Sequence, residues 1–399
     1  MARPLRSARL RAAALTLPLA AFVVVTFVAP LALMLVRSVH EPQVADALPR
    51  TLAALERWDG GSLPGEPAFR ALGTELRELD GRRGLGAVAT RVNRIESGMR
   101  SRMLATGRAL GPGSPESWRD AVLAADPVWG EARAWLALQR AGERFTLRHY
   151  LRALDLDRDS SGAVVRISPD QRIYVPLLLR TLLVSLAITA ICLVLGYPVA
   201  YLIANAPPSR SNLLLLLVLV PFWTSLLVRT TSWIVLLQNQ GVVNDILVAV
   251  GLVAEDGRLA LVYNMFGTLV AMTQILLPFM ILPLYAVMNS ISPEHMRAAS
   301  SLGATFRQGF VRVYWPQTMP GVAAGSLLVF ILAIGYYITP ALVGGRTGQL
   351  ISNMIAYHMQ ESLNWGLAAA LGVILLACVA VLYAVFDRLV GIERMRLAS

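Results

Sequence analysis

The sequence predicts an all-α integral membrane protein: six transmembrane helices, with a mainly helical extracytoplasmic insert between the first and the second. Hydrophobic residues make up 56% of the 399, and charged residues only 15%, below the roughly 25% of an average soluble protein. Six segments are apolar over the length needed to cross a hydrocarbon core, about 20 residues at about 1.5 Å of rise each. One long polar stretch, 38–174, interrupts them and carries 20 Arg against 18 acidic residues.

The apolar segments fall at 14–36, 177–204, 212–237, 265–290, 320–343 and 366–389. Arg3, Arg6, Arg9 and Arg11 precede the first, as they would a signal peptide. Its apolar run, however, exceeds the roughly 7–15 residues of a signal core and no small-residue cleavage site follows, so a retained anchor is expected. The formal charge is +11, and every one of the 36 basic residues is Arg. Outside 38–174 the excess sits on tails and short loops, which speaks for membrane topology and against nucleic-acid binding. The acid-free N-terminal tail is expected in the cytoplasm. Threading six spans from there leaves Arg210, the 291–319 loop with Arg297, Arg307 and Arg312, and the C-terminal tail with Arg388, Arg394 and Arg396 inside. The loop at 238–264 (Asp245, Glu255, Asp256, Arg258) and the neutral loop at 344–365 (Arg346, Glu361) fall outside. Four parts are expected: 1–37 with the first span, the insert 38–174, a five-helix core 175–390, and a tail 391–399.

Within the insert, Phe69, Leu72, Leu76 and Leu79 recur at helical spacing, as do Leu85, Val88, Val92, Ile95, Met99 and Met103. Gly60-Gly61, Gly81 and Gly111-Pro112-Gly113 break the pattern. A small helical bundle packing its own stripes is expected; a docking platform for a substrate-binding protein is the sharper alternative. The two cysteines, Cys192 and Cys378, lie in apolar segments, so the insert folds without a disulfide. Asp155, Asp157 and Asp159 alternate as in a calcium loop, but Ser160 and Arg166 stand where that loop needs Gly and Glu. A solvated turn is expected, and no metal site.

The segment 293–321, PEHMRAASSLGATFRQGFVRVYWPQTMPG, lies on the expected cytoplasmic side between the fourth and fifth spans. Met296 to Leu302 reads as a short helix with a small-residue face at Ala298, Ala299 and Ser300, and Gly303 lets the chain turn. A second amphipathic stretch holds Phe310, Val311 and Val313, and Pro316 and Pro320 are expected to end it before the membrane. An ordinary interfacial helix-turn would look the same locally.

Arg297-Ala298-Ala299, Gly303, Val313, Pro316 and Pro320 together resemble the EAA loop of ABC importer permeases. The usual Glu of that loop falls on Arg297, with Glu294 three residues earlier. GYPVAYLIA (196–204), PFWTSLLVRTTSWIVLLQNQGVVN (221–244), LLPFMILPLYAVMNSI (276–291), YITPALVGGRTGQLISNMIA (337–356) and FTLRHYLRAL (145–154) resemble the spermidine/putrescine-type branch. The bulk of 41–144 has no counterpart in it. The resemblance implies a type I importer permease fold in a bacterial inner membrane. It also implies a second permease subunit (a paralogue or a second copy), two cytoplasmic ATPase subunits and an extracytoplasmic solute-binding protein. Glu294, Arg297, Ala298, Ala299, Gly303, Phe310, Pro316 and Pro320 would then form the loop that docks in the ATPase. This chain binds no cofactor and has no catalytic residue in that reading. Without any Lys it cannot carry a Gly-x-x-x-x-Gly-Lys phosphate loop, so ATP is hydrolysed by the partner.

Ionisable residues within the apolar segments are few. Arg180 is expected to snorkel from the outer end of the second. Arg229 lies deeper, and either lines a path or pairs with carbonyls at a helix end. Trp223, Tyr336, Tyr337 and Pro340 are the other path candidates, while Trp223 and Trp233 also suit an interfacial belt. No Asp or Glu lies in the body of any segment, so nothing here supports a cationic cargo independently of the resemblance, and opines, aminophosphonates or other small solutes stay open. A membrane-anchored receptor with 38–174 as sensor is the alternative, but it would want a cytoplasmic signalling domain. A secondary transporter would want intramembrane carboxylates and repeats, and a membrane enzyme clustered His or carboxylates.

Overall fold

The computed structural model describes residues 15–81, 84–111, 113–159 and 162–390. Arg3, Arg6, Arg9, Arg11, Pro112, Ser160, Ser161 and the tail 391–399 with Arg394 and Arg396 lie outside the described residues. The chain divides into two compact units between Tyr150 and Leu151.

The first unit begins with helix α1 (Leu15–Val39), whose apolar window has mean hydropathy 2.7 and buries none of its residues. A π-helical turn at Val24–Val28 precedes Pro30 and absorbs the backbone donor that proline lacks. Seven short helices follow: α2 (Gln43–Ala47), α3 (Pro49–Leu55), α4 (Glu66–Gly81), α5 (Leu85–Asn93), α6 (Met99–Ala109), α7 (Trp118–Ala125) and α8 (Ala132–Ala141). Phe69, Leu72, Leu76, Leu85, Val88, Val92, Met99 and Met103 form one core with Trp129, Trp135 and Leu138, while Leu79 and Ile95 pack at its edge. Trp135 meets Phe69 and Trp129 edge-on, with ring centroids 4.7 and 5.5 Å apart. Both buried indoles are satisfied, Trp129 Nε1 donating to Thr106 Oγ1 (2.8 Å) and Trp135 Nε1 to the Trp129 carbonyl (2.9 Å). Glu75, 2% exposed, accepts from the backbone N–H groups of Arg50 (2.7 Å) and Thr51 (3.0 Å) and so caps the start of α3.

The insert closes on itself at a neck. The Glu41 N–H donates to the Arg144 carbonyl and the Thr146 N–H to the Val39 carbonyl, both at 2.8 Å. Ser38 and Tyr150 hydroxyls meet at 2.8 Å. Glu41 is the hub: it pairs with Arg91, lies 3.5 Å from Arg148 and accepts from His149 Nε2 at 3.1 Å. Burial pulls the Arg91 guanidinium down to about 10, helped by repulsion from Arg94 and Arg148.

The second unit opens with a hairpin, β1 (Leu156–Arg158) paired antiparallel to β2 (Val164–Arg166), after α9 (Arg148–Ala153), which crosses the junction. Asp155 is no solvated turn residue: it is 3% exposed, and its carboxylate accepts from the N–H groups of Ile173, Tyr174 and Val175 at 3.1, 3.2 and 2.8 Å. Those donors open the next helix, so the apparent calcium ligand is a cap on its positive end. Asp159 accepts instead from the Ala163 N–H within the hairpin (3.0 Å).

The remaining helices are α10 (Tyr174–Asn205), α11 (Pro208–Leu219), α12 (Leu226–Leu237), α13 (Val242–Ala249), α14 (Met265–Ser290) and α15 (Glu294–Ser301). Then come α16 (Phe306–Gly335), α17 (Ile338–Val343), α18 (Ile351–Gln360) and α19 (Trp365–Val390). Five described helices are long and apolar enough to span: α1, α10, α14, α16 and α19. The segment expected at 212–237 is broken instead. Pro208–Trp223 and Leu226–Ala249 meet at 95°, and count as a sixth span only as a bent pair. Pro221 and the extended Thr224 mark the break. The expected 320–343 segment also shifts. Its helix starts at Phe306 and stops at Gly335, after which the chain restarts at Ile338.

Helices α10, α14 and α16 make the core, where glycines allow close contact. A Cβ on Gly325 would sit 2.8 Å from Met280 Sδ, one on Gly321 3.1 Å from the Pro283 carbonyl, and one on Gly196 3.2 Å from Met280 Cγ.

Acid should open the neck. Burial first, then the Arg148, Arg91 and Arg94 charges, pull the His149 imidazole from 6.5 down to about 3. The unfolded chain therefore binds a proton that the folded neck refuses. The neck's stability is fully present above pH about 6.5 and falls by roughly 1.4 kcal/mol per unit as pH drops toward 3. Limited proteolysis between pH 7.5 and 4.5 should release the insert faster at the acid end, and His149→Gln should flatten that dependence. A wild-type rate independent of pH would contradict this account of the neck.

Candidate functional site

The 293–321 loop is a built structure. Pro293 begins α15, and a Schellman pair ends it: Gly303 N–H donates to the Ser300 carbonyl and Ala304 N–H to the Ala299 carbonyl, both at 3.0 Å. Gly303 takes φ +85°, which a side chain resists. Two residues later Thr305 and Gln308 exchange side-chain and backbone hydrogen bonds (3.3 and 2.9 Å) as a capping box that starts α16.

The outward face of α15 is Glu294, Arg297, Ala298 and Ser301, continued by Leu302, which is 89% exposed. The inward side is Met296, packed toward Gly309, where a Cβ would lie 3.2 Å from Met296 Cε. Pro316 and Pro320 do not end the amphipathic stretch. A π-helical turn at Phe310–Tyr314 carries the chain unbroken into the span. The wider turn accommodates the donor that Pro316 lacks.

Phe310 serves as an anchor on the core side. Its ring stacks on Phe306 and Tyr314 and meets Tyr201 of α10 edge-on at 5.8 Å. Tyr201 meets Tyr314 at 5.4 Å, and Tyr197 meets Trp315 at 4.8 Å and hydrogen-bonds Thr318 at 3.1 Å. Sequence reasoning gave no role to Tyr197, Tyr201, Tyr314 or Trp315. The four-residue spacing of Tyr197 and Tyr201 in GYPVAYLIA, one face of a helix, was the available signal.

The path candidates are partly gathered. Arg229 stands in the first turn of α12, half-buried, and its Nε is buried without a hydrogen bond among the described residues. It lies close enough to Tyr336 to act on it electrostatically. Thr230 and Thr339, both fully buried, meet at 3.3 Å and hold α12 to α17, the helix of Pro340. Ser352 Oγ donates to the Tyr336 carbonyl (2.6 Å) and Asn353 Nδ2 to the Tyr337 carbonyl (2.9 Å), fixing that turn. The two threonines, Ser352 and Asn353 were not among the expected path residues. Trp223 stands apart at the helix break, 75% exposed. Trp233 donates to Gln274 Oε1 at 3.3 Å, and Arg180 donates to the Thr347 carbonyl at 3.2 Å.

The sequence profile of the binding-protein-dependent transport system inner membrane component family matches residues 196–392. The spermidine/putrescine transport system permease protein PotB of Escherichia coli K12 is 34% identical over 244 residues, 61% of this chain and 82% of that protein. PotB of Salmonella typhimurium SL1344 is 33% identical (61% and 79%), and that of Haemophilus influenzae is 35% identical over 216 residues (54% and 75%). Among solved structures, a bacterial alginate ABC transporter aligns at 20% identity with TM-score 0.41, covering 53% of this chain and 78% of that one. The insert up to residue 174 lies outside the profile match. At this identity and coverage, the chain belongs to the binding-protein-dependent inner-membrane-component family and is a permease subunit of an ABC importer, of the branch that holds those PotB proteins.

Proposed function

We propose that this permease carries a polyamine such as spermidine or putrescine inward and that its 293–321 loop takes the driving force from a cytoplasmic ATPase. The observation that carries the coupling role is the tip of the loop. Leu302 and Phe306 are 89% and 68% exposed, while Phe310 and Tyr314 behind them are packed. Large apolar side chains presented on a rigid, capped turn suit a partner surface. Both termini lie in the cytoplasm, a second permease subunit completes the path, and an extracytoplasmic binding protein delivers the solute. The chain itself is no enzyme; ATP is hydrolysed by the partner.

The names of the PotB relatives support the polyamine. The path candidates carry no carboxylate, so ammonium groups would be held by the aromatic faces of Tyr336 and Tyr337 and by carbonyls at the broken helix, with selection made by the binding protein. Arg229 then sets the repulsive wall that keeps a cation moving.

Co-purification with the candidate ATPase and binding protein tests the coupling. Gly303→Asp adds bulk where nothing lies within 4 Å in the chain itself, so its internal cost is backbone strain of about 1–2 kcal/mol. The variant should insert in the membrane yet recover little ATPase, and equal recovery by both proteins would remove the docking role. Polyamine-loaded binding protein should stimulate the wild-type ATPase more than other loaded solutes, and a stronger response to a different solute would replace the cargo. Arg229→Gln should change transport rate while ATPase recovery stays at the wild-type level; unchanged transport would take Arg229 out of the path.

A further inference from the structure

We propose that the neck of the insert is a lipid-anchoring surface, with Phe145 and Leu147 entering the acyl region of the leaflet where the first span ends. The span keeps apolar side chains outward to its last turn: Leu33, Leu35 and Val36 are 60%, 49% and 52% exposed. Its final residue, Val39, accepts the Thr146 N–H, and Glu41 donates back to Arg144. Segment 144–146 is therefore one strand spacing, about 4.8 Å, from the chain as it leaves the bilayer.

Along that segment the side chains divide by face. Thr146 Oγ1 accepts from the Arg148 N–H (3.1 Å), His149 is buried on Glu41, and Tyr150 bonds Ser38. The neck-facing side is polar and hydrogen-bonded. The other side presents Phe145 at 72% and Leu147 at 59% exposure. Phe145 is steadied by the His40 ring, 4.9 Å away, and Arg144, on the adjoining rung, is 58% exposed and ion-paired with Asp46. An aromatic ring and a leucine beside guanidiniums is the composition of an interfacial anchor, apolar toward the acyl chains and charged toward the headgroups. The occupant is lipid because this surface continues the outward apolar surface of the span itself. The assignment rests on α1 crossing a membrane, and not on the cargo or the ATPase.

The test uses the full chain with Cys192 and Cys378 replaced by Ala, in phosphatidylethanolamine/phosphatidylglycerol vesicles. Phe145→Cys, Leu147→Cys and, on the distal insert, Glu116→Cys each carry an environment-sensitive fluorophore. Labels at 145 and 147 should emit to the blue of the label at 116, lose most of their emission to nitroxide-labelled lipid and keep it against aqueous iodide. The label at 116 should do the reverse. Quenching of 145 and 147 by iodide alone overturns the proposal, and so does shielding from both quenchers, which would mean a protein surface covers them. Leu147→Cys leaves the His40–Phe145 contact intact, so its result stands if the Phe145 variant misfolds.

Discussion

Everything the permease core does depends on how closely α10, α14 and α16 can approach. A methyl at Gly325 would meet Met280 Sδ at 2.8 Å, and methyls at Gly321 and Gly196 would sit tightly at 3.1 and 3.2 Å from their neighbours. In a bilayer no hydrophobic drive pulls helices together, so close van der Waals contact has to supply the association. A close-packed core is also poorly compressible, and it passes displacement on rather than absorbing it.

That property gives the aromatic cluster its meaning. Phe306, Phe310, Tyr314 and Trp315 lead from the loop into α16, and Tyr197 and Tyr201 join them to α10. The π-helical turn lets the loop and the span be one continuous helix despite Pro316 and Pro320. In the proposed coupling, a push on α15 would reach two core helices at once. At the other end of the unit, Asp155 fixes the start of α10 through three backbone N–H groups. Helix α10 is thus held at both ends.

Much of this was legible in the sequence. Apolar runs gave most of the spans, because lipid forces every backbone group into helices of a fixed minimum length. The stripes from Phe69 to Met103 marked an insert with its own core, since helical spacing and burial are linked directly. The helix-turn at 293–321 was legible because Gly303 and the small residues before it mark a turn at that spacing, and its coupling role stays the proposal. The break at Thr224–Ser225 was not: composition stays apolar through a 95° bend, and only Pro221 hints at it. Asp155 misled because an alternating acidic run says nothing of a helix N-terminus about 20 residues later that needs a cap. Phe310 was expected in the 293–321 loop, and that it packs on the core side of that loop, against Tyr201, is a matter of tertiary packing that no local pattern carries. Thr230 with Thr339, and Glu41 with Arg91, Arg148 and His149, pair residues roughly 50 to 110 positions apart, beyond any local pattern.

In the proposed coupling, loop and core move as one body. Spin labels at Leu302→Cys and Leu186→Cys, on α15's tip and the outward side of α10, measure it by pulsed electron resonance in the assembled importer. A distance distribution that stays narrow and unmoved between nucleotide-free and ATP-trapped states is the predicted result. A distribution that shifts or broadens when ATP binds would show the loop moving independently of the core, and the account of coupling through the aromatic cluster would fall.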